Sequence, residues 1–225
     1  MKNPLVKWLR VTVVAGGLLV AIYGHAAPVE VKPESVAAPV SSVAAHQSEP
    51  HQLVQNITDE LLSLLKSGKL DPVAQPEETY VHLSKVLDPV IAFDYIAKGV
   101  MGRYAKTVSS EQKTLFTERF KRGLVNTYGK GVSGFTNFQL TVLPPEGDIS
   151  GQRKVSVVQE VRGSGSVNYV SYTMAQNKNN QWKLINVVLN GVNLGKTFRG
   201  QFAQEVQKNS GDVNKVIDTW GADKS

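Results

Sequence analysis

Cysteine is absent from all 225 residues, which excludes a disulfide framework and any CxxC redox or zinc motif. Histidine is scarce, and of the four only His82 lies beyond residue 51. A lone helical histidine with no Cys, Asp or Glu at ligand spacing reads as an ordinary core or surface residue rather than a base or metal ligand. Neither HExxH, GxSxG nor GxxxxGK[ST] occurs. Glycines in GVNLG (191–195) and GSGS (163–166) fit turn chemistry, because their spacing is not that of a GxGxxG phosphate cradle. Asp88 and Asp94 flank a helix break and suit capping, and Glu111 and Glu118 sit off the apolar stripe of their helix, so no pair of carboxylates is nominated for acid–base work. Basic residues never gather in runs of five or form a stripe with interleaved aromatics, which argues against nucleic acid as a partner. No catalytic residue, metal or cofactor is expected on these grounds.

What is present begins with residues 1–26, which have the anatomy of a secretory signal peptide. Lys2, Lys7 and Arg10 form a cationic start, residues 11–23 an apolar run too short to span a bilayer, and Gly24-His25-Ala26 a small-residue cleavage site. Export without cysteine suits a bacterial periplasm, where the fold relies on its core, and the sequon Asn56-Ile57-Thr58 is then fortuitous. Removing the signal takes away three of 25 basic residues, leaving 22 against 19 acidic, or +3. Residues 27–52 are rich in Pro, Ala and Ser without sustained periodicity and read as a flexible linker. The folded domain is expected over residues 53–225.

From Leu53 onward, Val54, Ile57, Leu61, Leu64 and Leu65 recur at helical spacing up to Gly68. A second helix follows Pro76 with Tyr80, Leu83, Leu87 and Val90 on one face, and a short third lies in FDYIAKGV. In the fourth, Ser109 and Gln112 make a capping box and Phe116, Phe120, Leu124 and Tyr128 repeat every fourth residue. After Gly131 the period changes to two. FTNFQLTVL, RKVSVVQEVR, VNYVSYTMA and WKLINVVLN, separated by turn-rich segments, read as an antiparallel meander of four strands. Closing GSGS pairs Arg162 with Val167, and closing NKNN pairs Asn177 with Asn180. Val155, Val157 and Val161 then share a face with Val170, Tyr172 and Met174, with Ile185, Val187 and Leu189, and with Phe138, Leu140 and Val142. Trp182, Leu184 and Val188 fall among polar residues on the other face. Two more helices are read at 198–206 and 213–220. The fold class is α+β, an antiparallel sheet with one apolar face covered by several helices.

The segment FDYIAKGVMGRYAKTVSSEQKTLFTERFKRGLVNTYGK, the meander, and the run WKLINVVLNGVNLGKTFRGQF together resemble the MlaC family of periplasmic phospholipid carriers, also called toluene-tolerance proteins, over residues 53–222. The chain departs from the family pattern at Asn186, where Asp is usual, and at Tyr104, where Trp is common. The resemblance implies a lipid pocket between the sheet and its helices, lined by Val157, Val170, Tyr172, Ile185 and Val187 and opposed by Phe116, Phe120 and Leu124. Phe198 and Phe202 would face inward from the helix after GVNLG, and Arg199 at the rim would meet a head group, a partner or only its own fold. It also implies a carrier that maintains outer-membrane lipid asymmetry, with a diacyl phospholipid as ligand. Its partners would be an inner-membrane ABC transporter complex and an outer-membrane lipoprotein complex, both of the Mla type. Two rivals stand beside this reading. One is an enzyme acting on a small apolar substrate, which needs a carboxylate or tyrosine of displaced pKa at the pocket floor. The other is an adhesion or scaffolding module with a fully packed core.

Overall fold

The computed structural model describes residues 49–132, 138–163 and 165–221. The signal segment 1–26 and most of the 27–52 linker lie outside the described residues. Among the described residues six α-helices and five strands are found, the strands in a single meander flanked by helices. Helix α1 spans Glu49–Lys66, so residues 49–52 are helical rather than linker, with Pro50 and His51 buried. Proline is tolerated in a first helical turn, where its missing N–H would be unpaired anyway. The apolar repeat begins only at Leu53, and for that reason periodicity placed the start a turn late.

Helix α2 spans Pro76–Leu87. Val90 lies beyond its end, where the chain runs along the sheet: Leu184 N–H donates to Val90 O at 2.9 Å and Ala92 N–H to Leu184 O at 3.0 Å. Helix α3 (Phe93–Met101) passes into a 3₁₀ turn, Gly102–Lys106. Helix α4 (Ser110–Val132) opens as its capping box predicts, with Gln112 N–H donating to Ser109 Oγ at 3.2 Å.

Strands β1 (Gln139–Val142), β2 (Lys154–Gly163), β3 (Ser166–Gln176), β4 (Trp182–Leu189) and β5 (Val192–Asn193) form one sheet in sequence order, every pair antiparallel. The expected register of the first hairpin holds, with Arg162 opposite Val167. That of the NKNN hairpin does not: the loop is one residue longer, Asn177 N–H donates to Gln181 O at 2.9 Å and Gln176 lies opposite Trp182, so Asn177 does not pair with Asn180 in the ladder. Two further features depart from the sequence reading. The fifth strand is a two-residue arm, too short to carry a period-two signal. It folds back through Asn190 and Gly191, whose φ values of 47° and 82° are those an Asn-Gly hairpin turn requires. The second of these is a bulge. Val187 pairs with Tyr172 and Asn186 with Thr173, but Leu184, not Ile185, sits opposite Met174. One extra residue shifts the alternation beyond it. Trp182 and Leu184 therefore pack on the core side, and Ile185 leaves the line of Val187 and Leu189.

Helix α1 packs on β1 and β2, while α3 and α5 (Leu194–Lys208) lie along β4. Helix α4 packs against α2, α3 and the final helix α6 (Val213–Thr219). Among the described residues two apolar clusters lie beside α1. Val54 of α1 and Val90 close over Val142, Val155, Val157 and Met174, and Leu65, Leu70, Leu83 and Val125 join α1, α2 and α4.

Candidate functional site

The inner face of the sheet is laid out in rows by its register: Val155, Met174, Leu184; then Val157, Tyr172, Val187; then Gln159, Val170, Leu189. Along β2 every member is buried. In the first row Val155 and Met174 are buried, Met174 at 0% exposed, and half-buried Leu184 packs on the same cluster. In the next two rows Tyr172, Val187, Val170 and Leu189 are only half-buried. These residues point toward the helices, where apolar side chains are normally sealed. The helices lie on β1–β2 and on β4, leaving a strip of half-covered apolar surface along β3 and β4, with half-buried Leu140 on β1.

A polar chain stands at the inner end of this strip. Tyr172 Oη donates to Gln159 Oε1 at 2.8 Å, Gln159 Nε2 donates to Thr58 Oγ1 at 2.9 Å, and Thr58 Oγ1 donates to Val54 O at 2.8 Å. Gln159 is 3% exposed and Thr58 8%. Burial pushes the Tyr172 hydroxyl up to about 12. Sequence reasoning missed Gln159. The signal was available, because residue 159 falls in phase with Val155, Val157 and Val161, and a polar residue at an inward position needs an inward partner.

The aromatic candidates gather elsewhere. Phe116 meets Phe202 at 4.9 Å and Trp220 at 5.4 Å between ring centroids, Phe120 meets Phe198 at 5.3 Å, and Phe116 lies 5.8 Å from Phe120. Phe116 and Phe202 are 0% exposed. This is a packed core between α4, α5 and the C-terminal segment, sealed rather than open. Leu124, two turns on from Phe116, is half-buried. Val157 belongs to the core under α1.

Ile185 and Arg199 come together in a third place, an open cleft of about 200 Å³ between α3, β4 and the start of α5, lined also by Tyr95, Ile96, Val100 and Lys196. The Arg199 guanidinium lies against the backbone of Gly102, where an added Cβ would sit 2.7 Å from Nε. Gly102 has φ 56°, a conformation that favours glycine. Among the described residues no carboxylate pairs with Arg199. The first amides of α5 are taken: Gly195 N–H donates to Asn186 Oδ1 at 3.2 Å and Lys196 N–H to Asn193 Oδ1 at 3.0 Å.

Other titratable groups have structural surroundings. Lys121 is 9% exposed, 2.6 Å from Asp88 and over the rings of Tyr80 and Phe93 at 5.5 and 5.7 Å. Burial pulls its pKa down, but the Asp88 hydrogen bond and the charges of Tyr80, Asp88 and Glu118 outweigh it and the net shift is upward. Asp88 thus ties α2 to α4 through Lys121. Glu111 and Glu118 are exposed. His82 is half-buried on α2, and because α1 begins early the folded body holds a second histidine, His51, 1% exposed and lowered in pKa by burial. Among the described residues no three His, Cys, Asp or Glu side chains could hold a metal ion.

Residues 55–222 match the family model described as MlaC protein. The chain belongs to the MlaC family. A curated relative, toluene tolerance protein ttg2D of Pseudomonas putida, is 40% identical over 187 residues, 82% of this chain and 85% of that protein. The Haemophilus influenzae MlaC, named an intermembrane phospholipid transport system binding protein, is 22% identical over 158 residues, 69% of this chain and 73% of its own. A Ralstonia solanacearum phospholipid-binding protein, solved in complex with a phospholipid, shares the fold at a TM-score of 0.67 and 22% identity, over 78% of this chain and 98% of that one. The segments carrying the MlaC pattern meet in space: FDYIAKGVMGRY forms α3 and the 3₁₀ turn beneath Arg199, and WKLINVVLNGVNLG runs through β4 and β5 to the start of α5.

Proposed function

We propose that this protein is a periplasmic phospholipid carrier that takes up diacyl lipid between its sheet and helices, and that it serves lipid asymmetry of the outer membrane. The observation that carries this reading is the half-covered strip of Val170, Tyr172, Val187 and Leu189 beside the buried Val155, Val157 and Met174 of the same face. The relatives' names, which specify phospholipid binding and transport, supply the ligand class. No described helix is long and apolar enough to cross a membrane, which fits a protein that moves between membranes after its signal segment is removed.

The energetics give such a carrier its purpose. Bringing a 16-carbon acyl chain into water costs on the order of 10 kcal/mol, at about 0.8 kcal/mol per methylene. An apolar strip under helices removes most of that penalty. The sequence has no nucleotide-binding loop, so direction comes from differential affinity at partner complexes, an Mla-type outer-membrane lipoprotein complex on one side and an Mla-type inner-membrane ABC transporter complex on the other. Arg199, unpaired beside an apolar-walled cleft, is suited to a phosphate or to an acidic patch on one of those partners. The protein acts by holding and releasing rather than by turnover. An enzyme using the strip as its pocket would rely on Tyr172, and a hydroxyl pushed up to about 12 is displaced away from the range of a general base at neutral pH.

Native mass spectrometry of the protein purified from cells tests the reading. One or more intact diacyl phospholipids should accompany it, exchangeable with acceptor vesicles and chemically unchanged. A protein that leaves cells empty and gains nothing from phospholipid vesicles would refute it.

A further inference from the structure

The half-covered strip has two unlike ends. At one end Val170 and Leu189 are half-covered, with half-buried Asn168 next along β3. At the other Val155 and Met174 are buried in one cluster with Val54 and Val90, and half-buried Leu184 packs against it. Tyr172 stands in the row between. Its ring packs against that cluster, while its hydroxyl is bound to Gln159, itself held by Thr58 of α1. The chain therefore crosses from β3 through β2 to the helix above.

Polar groups in an apolar interior are held in place by the cost of leaving them unpaired. Moving the Tyr172 ring would strip Gln159 Oε1 of its donor inside a pocket where Gln159 is 3% exposed. The ring is thus less free than an apolar residue of equal size. An alkyl chain lying along Leu189 and Val170 offers no hydrogen bond in exchange, so it cannot displace the hydroxyl at equal cost. Behind the ring, Met174 and Val157 are 0% exposed and leave no room.

Resting on the phospholipid reading above, we propose that Tyr172 is the stop that sets how long an acyl chain the protein accepts, and that Gln159 is the positioning residue that pins it. A shorter chain ends against the ring; a longer one leaves methylenes outside in water. Removing the ring extends the apolar floor to buried Val155 and Met174. Each further methylene then admitted raises relative retention of the longer lipid by about fourfold.

The test loads wild-type protein, Tyr172→Ala and Gln159→Leu from vesicles of cis-monounsaturated phosphatidylglycerols mixed in equal parts, from dimyristoleoyl to dieicosenoyl. Native mass spectrometry reads which lengths are retained. Tyr172→Ala should shift the retained lipids toward the longest species, and Gln159→Leu, which keeps the volume but loses both hydrogen bonds, should shift them the same way by less. Where Tyr172→Ala does not fold, Tyr172→Leu replaces it with the same expected direction. A folded ring-less variant with the wild-type length distribution overturns the stop, and a shift in that variant without one in Gln159→Leu overturns the pin. A purely structural role lowers melting temperature in all variants and leaves the distribution where it was. Wild-type protein that retains no lipid of any length refutes the carrier reading itself, a different result from either.

Discussion

Two apolar regions of this molecule, one aromatic and one largely aliphatic, end in opposite states. Between α4, α5 and the C-terminal segment, Phe116, Phe120, Phe198 and Phe202 interlock with Trp220, and the first and last of these four phenylalanines are 0% exposed. On the sheet, Val170, Tyr172, Val187 and Leu189 face the helices and remain half-covered. Both are apolar; cover separates them. Helical ridges mesh with one another around the rings, whereas the helices that pack most on the sheet meet β1, β2 and β4, and Val170 and Tyr172 of β3 stay half-covered. A sealed region fixes the fold, and an unsealed apolar one has affinity left for a ligand.

Among truncations the largest expected effect belongs to the sealed region. Phe202→Ala or Phe116→Ala should cost about 3–5 kcal/mol and lower the melting temperature by about 10 °C, read by calorimetry. The same truncation at Val187 should move it far less, and equal losses at the two places would erase the comparison.

A charge sharpens it further. Val157→Glu places a carboxylate at a position 0% exposed and should prevent folding, since burying an unpaired charge costs several kcal/mol. Val187→Glu on the half-covered strip should give a folded protein by circular dichroism that carries no lipid. Retention of lipid at wild-type stoichiometry by that variant removes Val187 from the site.

Lys121 gives an intermediate effect. Its partner Asp88 has a side chain 46% exposed, so after discounting for solvent the loss in Lys121→Ala should be about 1–2 kcal/mol. The pH dependence has a definite sign. Because the folded pKa of Lys121 is raised above 10.5, its contribution is fully present below that value and fades as pH climbs through the raised one. Alkaline melts of wild type and variant should therefore converge.

The smallest effect on stability is expected at Arg199, which is exposed. Arg199→Ala should leave the melting temperature within about 1 °C. A head-group role lowers the phospholipid that co-purifies or speeds its loss to vesicles. A docking role leaves loading intact and weakens a partner interaction that was salt-sensitive in the parent. A variant that only melts lower is a structural one, and the cleft then holds no functional arginine.

Much of this arrangement was legible from residue order. The period-two segments and their turns placed Val155, Val157, Val170 and Tyr172 on one face because a hairpin loop of known length fixes register. The capping box at Ser109 placed the start of α4. What escaped had local causes. The bulge at Ile185 has no signature in WKLINVVLN, since one extra residue between two apolar stretches keeps both apolar; it moved Leu184 inward and carried Ile185 to the Arg199 cleft. The stripe of Phe116 and Phe120 was read correctly as inward, yet inward on a helix has several possible neighbours. Whether the sheet or α5 and Trp220 receives it depends on tertiary layering. Gln159 is legible by its phase with Val155 and Val157, but a single polar residue does not break an otherwise apolar alternation.

The most direct measurement uses a phospholipid carrying a diazirine near the end of one acyl chain, loaded into the wild-type protein, photoactivated, and mapped by peptide mass spectrometry. Adducts on β3 and β4 at Val170, Tyr172, Val187 and Leu189, with Phe116 and Phe202 unmodified, are the result predicted here. Adducts concentrated on the helical aromatic core, with the strip untouched, would contradict it.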